Sequence, residues 1–179
     1  SGQEKRNRRP VGTRGTMKML EITVGRDQPA AEFYADLTAS AVALVDGEPD
    51  AIANMANIAA LIWQYMPDLN WAGFYRRIDD ELVLGPFQGK TACIRIAIGA
   101  GVCGTAAATG EVQRVADVHA FPGHIACDAE SRSELVVPII RQGKLIGVLD
   151  LDSPLPDRFQ PADESGMVKL IEAIADNLG

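Results

Sequence analysis

The residues from Phe121 to Glu134, FPGHIACDAESRSE, set a cysteine, a histidine and three acids into a run too polar for a core element. Cys127 lies three residues after His124 and directly before Asp128; Glu130 and Glu134 follow, and Asp117 sits just upstream. Loops held by a rigid scaffold are where chemistry concentrates, and a reactive thiol needs partial exposure and help toward thiolate. The polar context makes Cys127 the candidate nucleophile, whereas Cys93 and Cys103 sit in more apolar stretches. His124 could assist the thiol, or serve only as a hydrogen-bonding loop residue. The acidic neighbours oppose thiolate formation, which favours a reaction whose substrate is activated by protonation.

A source for that proton is legible downstream, in Gly147–Ser153, GVLDLDS. Successive strand side chains alternate faces, so Asp150 and Asp152 share one. If the turn before this strand is Gln142-Gly143-Lys144, Arg141 pairs with Leu145 and Glu134 falls opposite Asp152. Three carboxyls then converge. A two-residue turn would send Glu134 to the other face. Crowded carboxyls repel, and one of them should keep its proton near neutral pH, as a general acid does. The competing reading makes them solvated strand ends, or partners of Arg132 and Arg141. Upstream, NWAGFY (70–75) puts Trp71, Gly73 and Tyr75 on one strand face and Ala72 and Phe74 on the other. The first face is either an aromatic wall beside a bare glycine, suited to a small apolar group, or ordinary sheet core.

The elements that must position these groups follow from periodicity. Phe33, Leu37, Ala41, Leu44 and Val45 recur at helical spacing over Ala30–Val45, and Asp46-Gly47 closes that helix. Asp50 caps a second helix that Pro67 ends, with Ile52, Met55, Ile58, Ala59 and Ile62 on its apolar stripe and Trp63 packed in the core. From Asn70 the period becomes two. Strands are expected over Asn70–Ile78, over Leu82–Gln88 with a break at Gly85-Pro86, and over Ala92–Ile98. Gly99–Gly104 reads as a helix-entry turn; it lacks the lysine or dinucleotide spacing of a phosphate cradle. A short helix follows to Thr109, stopped by Gly110, and then an edge segment over Val112–Val118. Leu135–Ile140 and Leu145–Leu151 form a hairpin. Pro161–Leu178 is a closing amphipathic helix, with Pro161 at its first position and Asp163 and Glu164 in its first turn. This order predicts an α+β fold with a central, mainly antiparallel sheet flanked by helices.

Composition narrows the partners. The chain has 179 residues, of which 47% are hydrophobic and 23% charged, and its formal net charge is −7. Residues 1–16 carry five basic residues and one acid, and are read as a disordered leader ahead of a natural start at Met17, the competing reading being a functional basic arm. Setting them aside leaves 12 Lys+Arg against 23 Asp+Glu, a net −11, for residues 17–179, which are expected to form a single catalytic domain. So acidic a body, without a basic stripe, argues against nucleic acid and anionic membrane, and no apolar run is long enough to span a bilayer. Three cysteines, spaced by ten and twenty-four residues, make neither a disulfide framework nor a zinc pattern. No metal is expected, and the thiols suit a cytoplasmic protein.

With these residues in view, the sequence resembles the free methionine-(R)-sulfoxide reductases, which are built on a GAF domain. The motifs are NWAGFY (70–75), LVLGPFQGKTAC (82–93), GAGVCGTA (99–106), FPGHIACDAESRSELVVP (121–138) and IGVLDLDS (146–153), and the similarity spans Ala30–Leu178. The resemblance implies a GAF-like fold and reduction of free methionine (R)-sulfoxide with no bound cofactor. It implies that Cys127 attacks the sulfoxide and becomes a sulfenic acid, that Cys93 resolves it as a disulfide, and that thioredoxin reduces that bond. Cys103 matches the third family cysteine. Glu134, Asp150 and Asp152 match the acids that grip the substrate ammonium and protonate the departing oxygen. Trp71 and Tyr75 match the pocket around the methyl sulfide end. A homodimer is implied as well. The alternative is a GAF-type sensor, of a small ligand or of redox state through a Cys93–Cys127 bond; a fold shared by both jobs does not choose between them.

Overall fold

The computed structural model describes residues 20–22, 24–25, 27–125 and 127–179; the leader expected over 1–16 lies outside them. Six strands form one sheet: β1 (Trp71–Ile78), β2 (Glu81–Gly89), β3 (Arg95–Ala97), β4 (Gln113–Val115), β5 (Ser133–Arg141) and β6 (Lys144–Ser153). Their order is β3-β2-β1-β6-β5-β4, and every neighbouring pair is antiparallel. Helices α1 (Ala30–Val45), α2 (Ala51–Tyr65) and α4 (Pro161–Ile174) cover one face, while α3 (Gly101–Thr109) lies on the other. The α+β architecture is the one the sequence order implies.

Strand alternation divides the apolar residues into two clusters. Ala72, Phe74, Leu135, Val137, Leu149 and Leu151 face the large helical layer, against Leu37, Ile58, Ile62 and Leu170. Burying each such Leu or Ile side chain stabilises by about 1.5–3 kcal/mol. The alternate residues, Trp71, Tyr75, Val136 and Val148, face α3 through Val102, Cys103 and Ala106. Asp50 caps α2 by accepting from the Ala53 N–H at 2.8 Å, and Gly110 closes α3 in the left-handed region at φ 69°. At α4, Gln160 and Asp163 form a reciprocal capping box around Pro161. Asp163 also accepts from the Tyr34 hydroxyl at 2.6 Å, tying α4 to α1.

Several local expectations differ from what forms. Gly85-Pro86 does not break β2; these residues sit in a bulge opposite Phe74, where the pairing shifts between Gly73 and Tyr75. The third strand is only Arg95–Ala97, so Cys93 precedes it in an irregular stretch. The edge segment contracts to β4, followed by a 3-10 turn at Val118–Ala120. Ile52 and Trp63 are exposed, because the buried stripe of α2 runs through Met55, Ile58 and Ile62. Gly73 is no pocket floor: a Cβ there would lie 2.3 Å from Phe87 Cβ, so it accommodates the bulged neighbour strand.

Candidate active site

The β5–β6 hairpin sets the acids. Its turn is two residues, Gln142-Gly143, both with positive φ (49° and 75°), because Arg141 pairs with Lys144. By turn length alone Glu134 should face the helical layer. It does not, because Ile146 is an extra residue in β6: Ile140 pairs with Leu145 but Ile139 with Gly147. The bulge shifts the register by one, and Glu134 pairs with Asp152 after all. Asp152 in turn pairs with Trp71, so Trp71, Asp152 and Glu134 form one row across three strands. Asp150 lies in the next row on the same face, between Gly73 and Val136.

Helix α3 lays Cys103 over this face, where its thiol donates to Glu134 Oε1 at 3.8 Å. Glu134 and Asp150 are buried, each 6% exposed, and Asp152 is half-buried. Burial, followed by the Asp150 and Asp152 charges, holds the Glu134 carboxyl well above its ordinary range. Asp152 is also held well above it, by burial and then by Asp150 and Asp128. Burial pushes Asp150 up to about 6, opposed by hydrogen bonds with Glu134 and Cys103. Of the three, Asp150 is raised least, and the cluster gives up its protons as a coupled set rather than as three independent carboxyls. Asp150 Oδ1 is buried with no hydrogen-bond partner, an acceptor aimed at a donor the chain does not supply. Single ligand atoms of Cys103, Glu134 and Asp150 lie within 4.8 Å of one another. Metal ligands must be deprotonated, however, and the Cys103 thiol is itself pushed well up by burial and these acids. The donor set suits shared protons better than a metal ion.

Cys127 is exposed, on the loop that rims this pocket, and it is disulfide-linked to Cys93 with their Cα atoms 5.8 Å apart. Cys103 is a free, buried thiol. His124 lines the same pocket, but burial and then the charge of His119 lower its pKa, so it is neutral at pH 7 and gives the thiol no positive neighbour. Trp71 and Tyr75 form the inner wall, stacked with centroids 5.8 Å apart, and Trp71 also stacks on Phe87. They have a second job that periodicity does not announce. The Tyr75 hydroxyl donates to the Cys93 carbonyl at 2.9 Å, and Trp71 Nε1 donates to the Lys90 carbonyl at 3.1 Å. The pocket wall thus anchors the irregular stretch that carries Cys93.

Asn70 and Ser131 also belong to the site, though neither stood out among the residues of the motifs that contain them. Asn70 Nδ2 donates to Asp128 Oδ2 at 3.2 Å and to Ser131 Oγ at 3.0 Å, fastening the start of β1 to the Cys127 loop. The partners are about sixty residues apart in sequence, beyond the reach of any local pattern; the polarity of 128–134 was the only available signal.

The GAF domain family matches residues 36–179. The free methionine-R-sulfoxide reductase of Escherichia coli is 55% identical over 140 residues, covering 78% of this chain and 85% of that protein. The enzyme of the same name from Saccharomyces cerevisiae is 46% identical over 151 residues, covering 80% and 84%. The X-ray structure of free methionine-R-sulfoxide reductase from Neisseria meningitidis in complex with its substrate is 40% identical with a TM-score of 0.84, covering 88% of this chain and 95% of that one. A fold matched over this length, with identity this high against proteins that share one name, leaves a single assignment: the chain belongs to the free methionine-R-sulfoxide reductase family of GAF domains.

Proposed function

We propose that this protein reduces free methionine (R)-sulfoxide to methionine, with Cys127 as nucleophile and Cys93 as resolving thiol. The observation that carries the reading is a Cys93–Cys127 bond beside a pocket wall of three buried or half-buried carboxyls, all held above their ordinary range by burial. A sulfoxide oxygen leaves poorly until it is protonated, so the Cys127 sulfur needs an acid beside it more than it needs a low pKa of its own. Glu134 and Asp152 are the proton donors. Asp150, ionised, raises both and accepts from the incoming substrate. The sulfoxide oxygen ends on Cys127 as sulfenic acid while methionine leaves. The Cys93 thiol then attacks that sulfur, forming the disulfide and releasing water. A dithiol protein of the thioredoxin class restores both thiols by exchange, and no bound cofactor is needed. Trp71 and Tyr75 pack the methyl sulfide end, and Cys103 hydrogen-bonds the acid cluster.

The acidic cup explains a preference for the free amino acid, whose ammonium is available; a methionine within a protein has none. Among the described residues, no helix is long and apolar enough to cross a membrane. A cytoplasmic location, where thiols are kept reduced, and a homodimeric assembly complete the reading. The test is a thioredoxin-coupled assay on both sulfoxide epimers. Many methionines released per subunit from the (R)-epimer support an enzyme; at most one, with no recycling, supports a redox sensor instead.

A further inference from the structure

We infer that Lys90 is a positioning residue for disulfide formation: its ion pairs to Glu130 and Asp128 clasp the Cys93 segment to the Cys127 loop. Lys90 lies three residues before Cys93, and Glu130 three residues after Cys127, so the ion pair and the disulfide are two rungs between the same segments. Lys90 Nζ is 2.5 Å from Glu130 Oε2 and 4.0 Å from Asp128 Oδ1. Both ends are anchored from behind. On one side, Gly89 turns off β2 at φ 126°, where a Cβ would lie 2.7 Å from the Asn70 carbonyl, and the Lys90 carbonyl accepts from Trp71. On the other, Asp128 accepts from the Glu130 N–H at 2.9 Å and from Asn70. Among the described residues, these are the only ion pairs joining the two cysteine-bearing stretches.

This inference rests on the proposed roles of Cys127 and Cys93. In that cycle the disulfide is absent until the resolving step, so the clasp is the rung that remains while the sulfenic acid waits. The Cys93 sulfur attacks the Cys127 sulfur, the S–S bond forms, the S–O bond breaks, and the oxygen leaves as water with a proton. The rate depends on how often the two sulfurs meet. Lys90 and Glu130 are 64% and 65% exposed, so their pairing is salt-screened and its effect is modest. The oxygen-transfer step uses neither residue.

The test mixes reduced enzyme with one equivalent of free methionine (R)-sulfoxide and no dithiol. Methionine release, sulfenic acid trapped by a cyclic dione, and the mapped disulfide are followed in wild type, Lys90→Glu, Glu130→Lys and the double swap. Methionine release is expected to stay within about twofold throughout. Disulfide formation should slow roughly threefold or more in each single variant, as the loss of an exposed pair plus charge repulsion implies, and recover in the swap. Added salt should slow disulfide formation in wild type without slowing methionine release. Wild-type disulfide rates in both single variants, or slowing without recovery in the swap, would overturn the clasp alone. A mapped bond other than Cys93–Cys127 in wild type would overturn the thiol assignment and the clasp with it.

Discussion

Glu134 on β5 and Asp152 on β6 are direct cross-strand partners, two carboxyls facing each other on the α3 side of the sheet. Like charges placed so are destabilising, and burial compounds the cost, so both carboxyls hold their protons well above the ordinary carboxylate range. Folded-state pKa values raised above the unfolded ones mean that the native state binds more protons over the interval between them. Stability therefore falls as pH rises from the ordinary carboxylate range through the raised values. For Asp150 alone, moving from 3.8 to about 6 corresponds to roughly 3 kcal/mol lost across that window. Thermal unfolding of wild type and Glu134→Gln, from pH 5 to 9, should show the variant gaining stability relative to wild type as pH rises. A constant difference between them would mean that Glu134 does not titrate there.

The same charges predict a shift in the pH profile of turnover. Asp150 raises both Glu134 and Asp152, so Asp150→Asn should let both lose protons at lower pH. The alkaline limb of kcat/KM should move toward acid, along with a loss of rate. A lower rate with an unmoved limb would place the essential proton elsewhere.

Cys127→Ser should abolish methionine release, because Cys127 is the exposed cysteine of the pocket lining, whereas Cys103 is buried and Cys93 is not part of that lining. Cys93→Ser should release about one methionine per subunit and then stall with a trapped sulfenic acid. Quantifying methionine in a single turnover without dithiol, beside a steady-state assay, separates the two.

Cys103 is buried and donates to Glu134, and its thiol is held protonated. Cys103→Ser keeps a donor and should retain most of the turnover. Cys103→Ala leaves the buried Glu134 carboxyl without that donor and should lose more, by up to about tenfold, with the Cys93–Cys127 bond still forming. Failure of that bond to form in both variants would instead give Cys103 a share in resolving the sulfenic acid.

Tyr75→Phe removes the bond that holds the Cys93 carbonyl and should cost about 1 kcal/mol of stability. Its kinetic cost should fall on recycling rather than on the first methionine released. Equal losses in both steps would mean that the hydroxyl serves the substrate as well.

Much of the frame was readable because its signals are local. Asp50 and Gly110 mark helix ends through bonds made within a turn of themselves, Pro161 through its fixed φ at a first helical position, and NWAGFY divides into two faces by alternation alone. The position of Glu134 was readable only on a condition, and the condition was wrong in its particulars: a two-residue turn plus a bulge at Ile146 does what a three-residue turn would have done. Bulges leave little trace in composition. Ile52 and Trp63 were misplaced because α2 has more apolar residues than its buried stripe can hold. The anchoring of the Cys93 stretch by Tyr75, and the link from Asn70 to Asp128, join residues that only the folded sheet brings together.

The extra residue at Ile146 acts as a parity switch at long range. It lies seven strand steps from Ser153, a span of roughly 20–25 Å at strand rise, yet it decides which surface receives every side chain of β5 beyond it. Were Ile146 to pair with Ile139 instead, the turn would stay intact but β5 would slip by one residue and turn over, driving Leu135 and Val137 out of the helical layer and Glu134 into it. A lone deletion in β5 between Glu134 and Ile139, with the bulge kept, would turn Glu134 over in the same way, so a change of length far from the sulfur chemistry would be as damaging as the loss of a carboxyl.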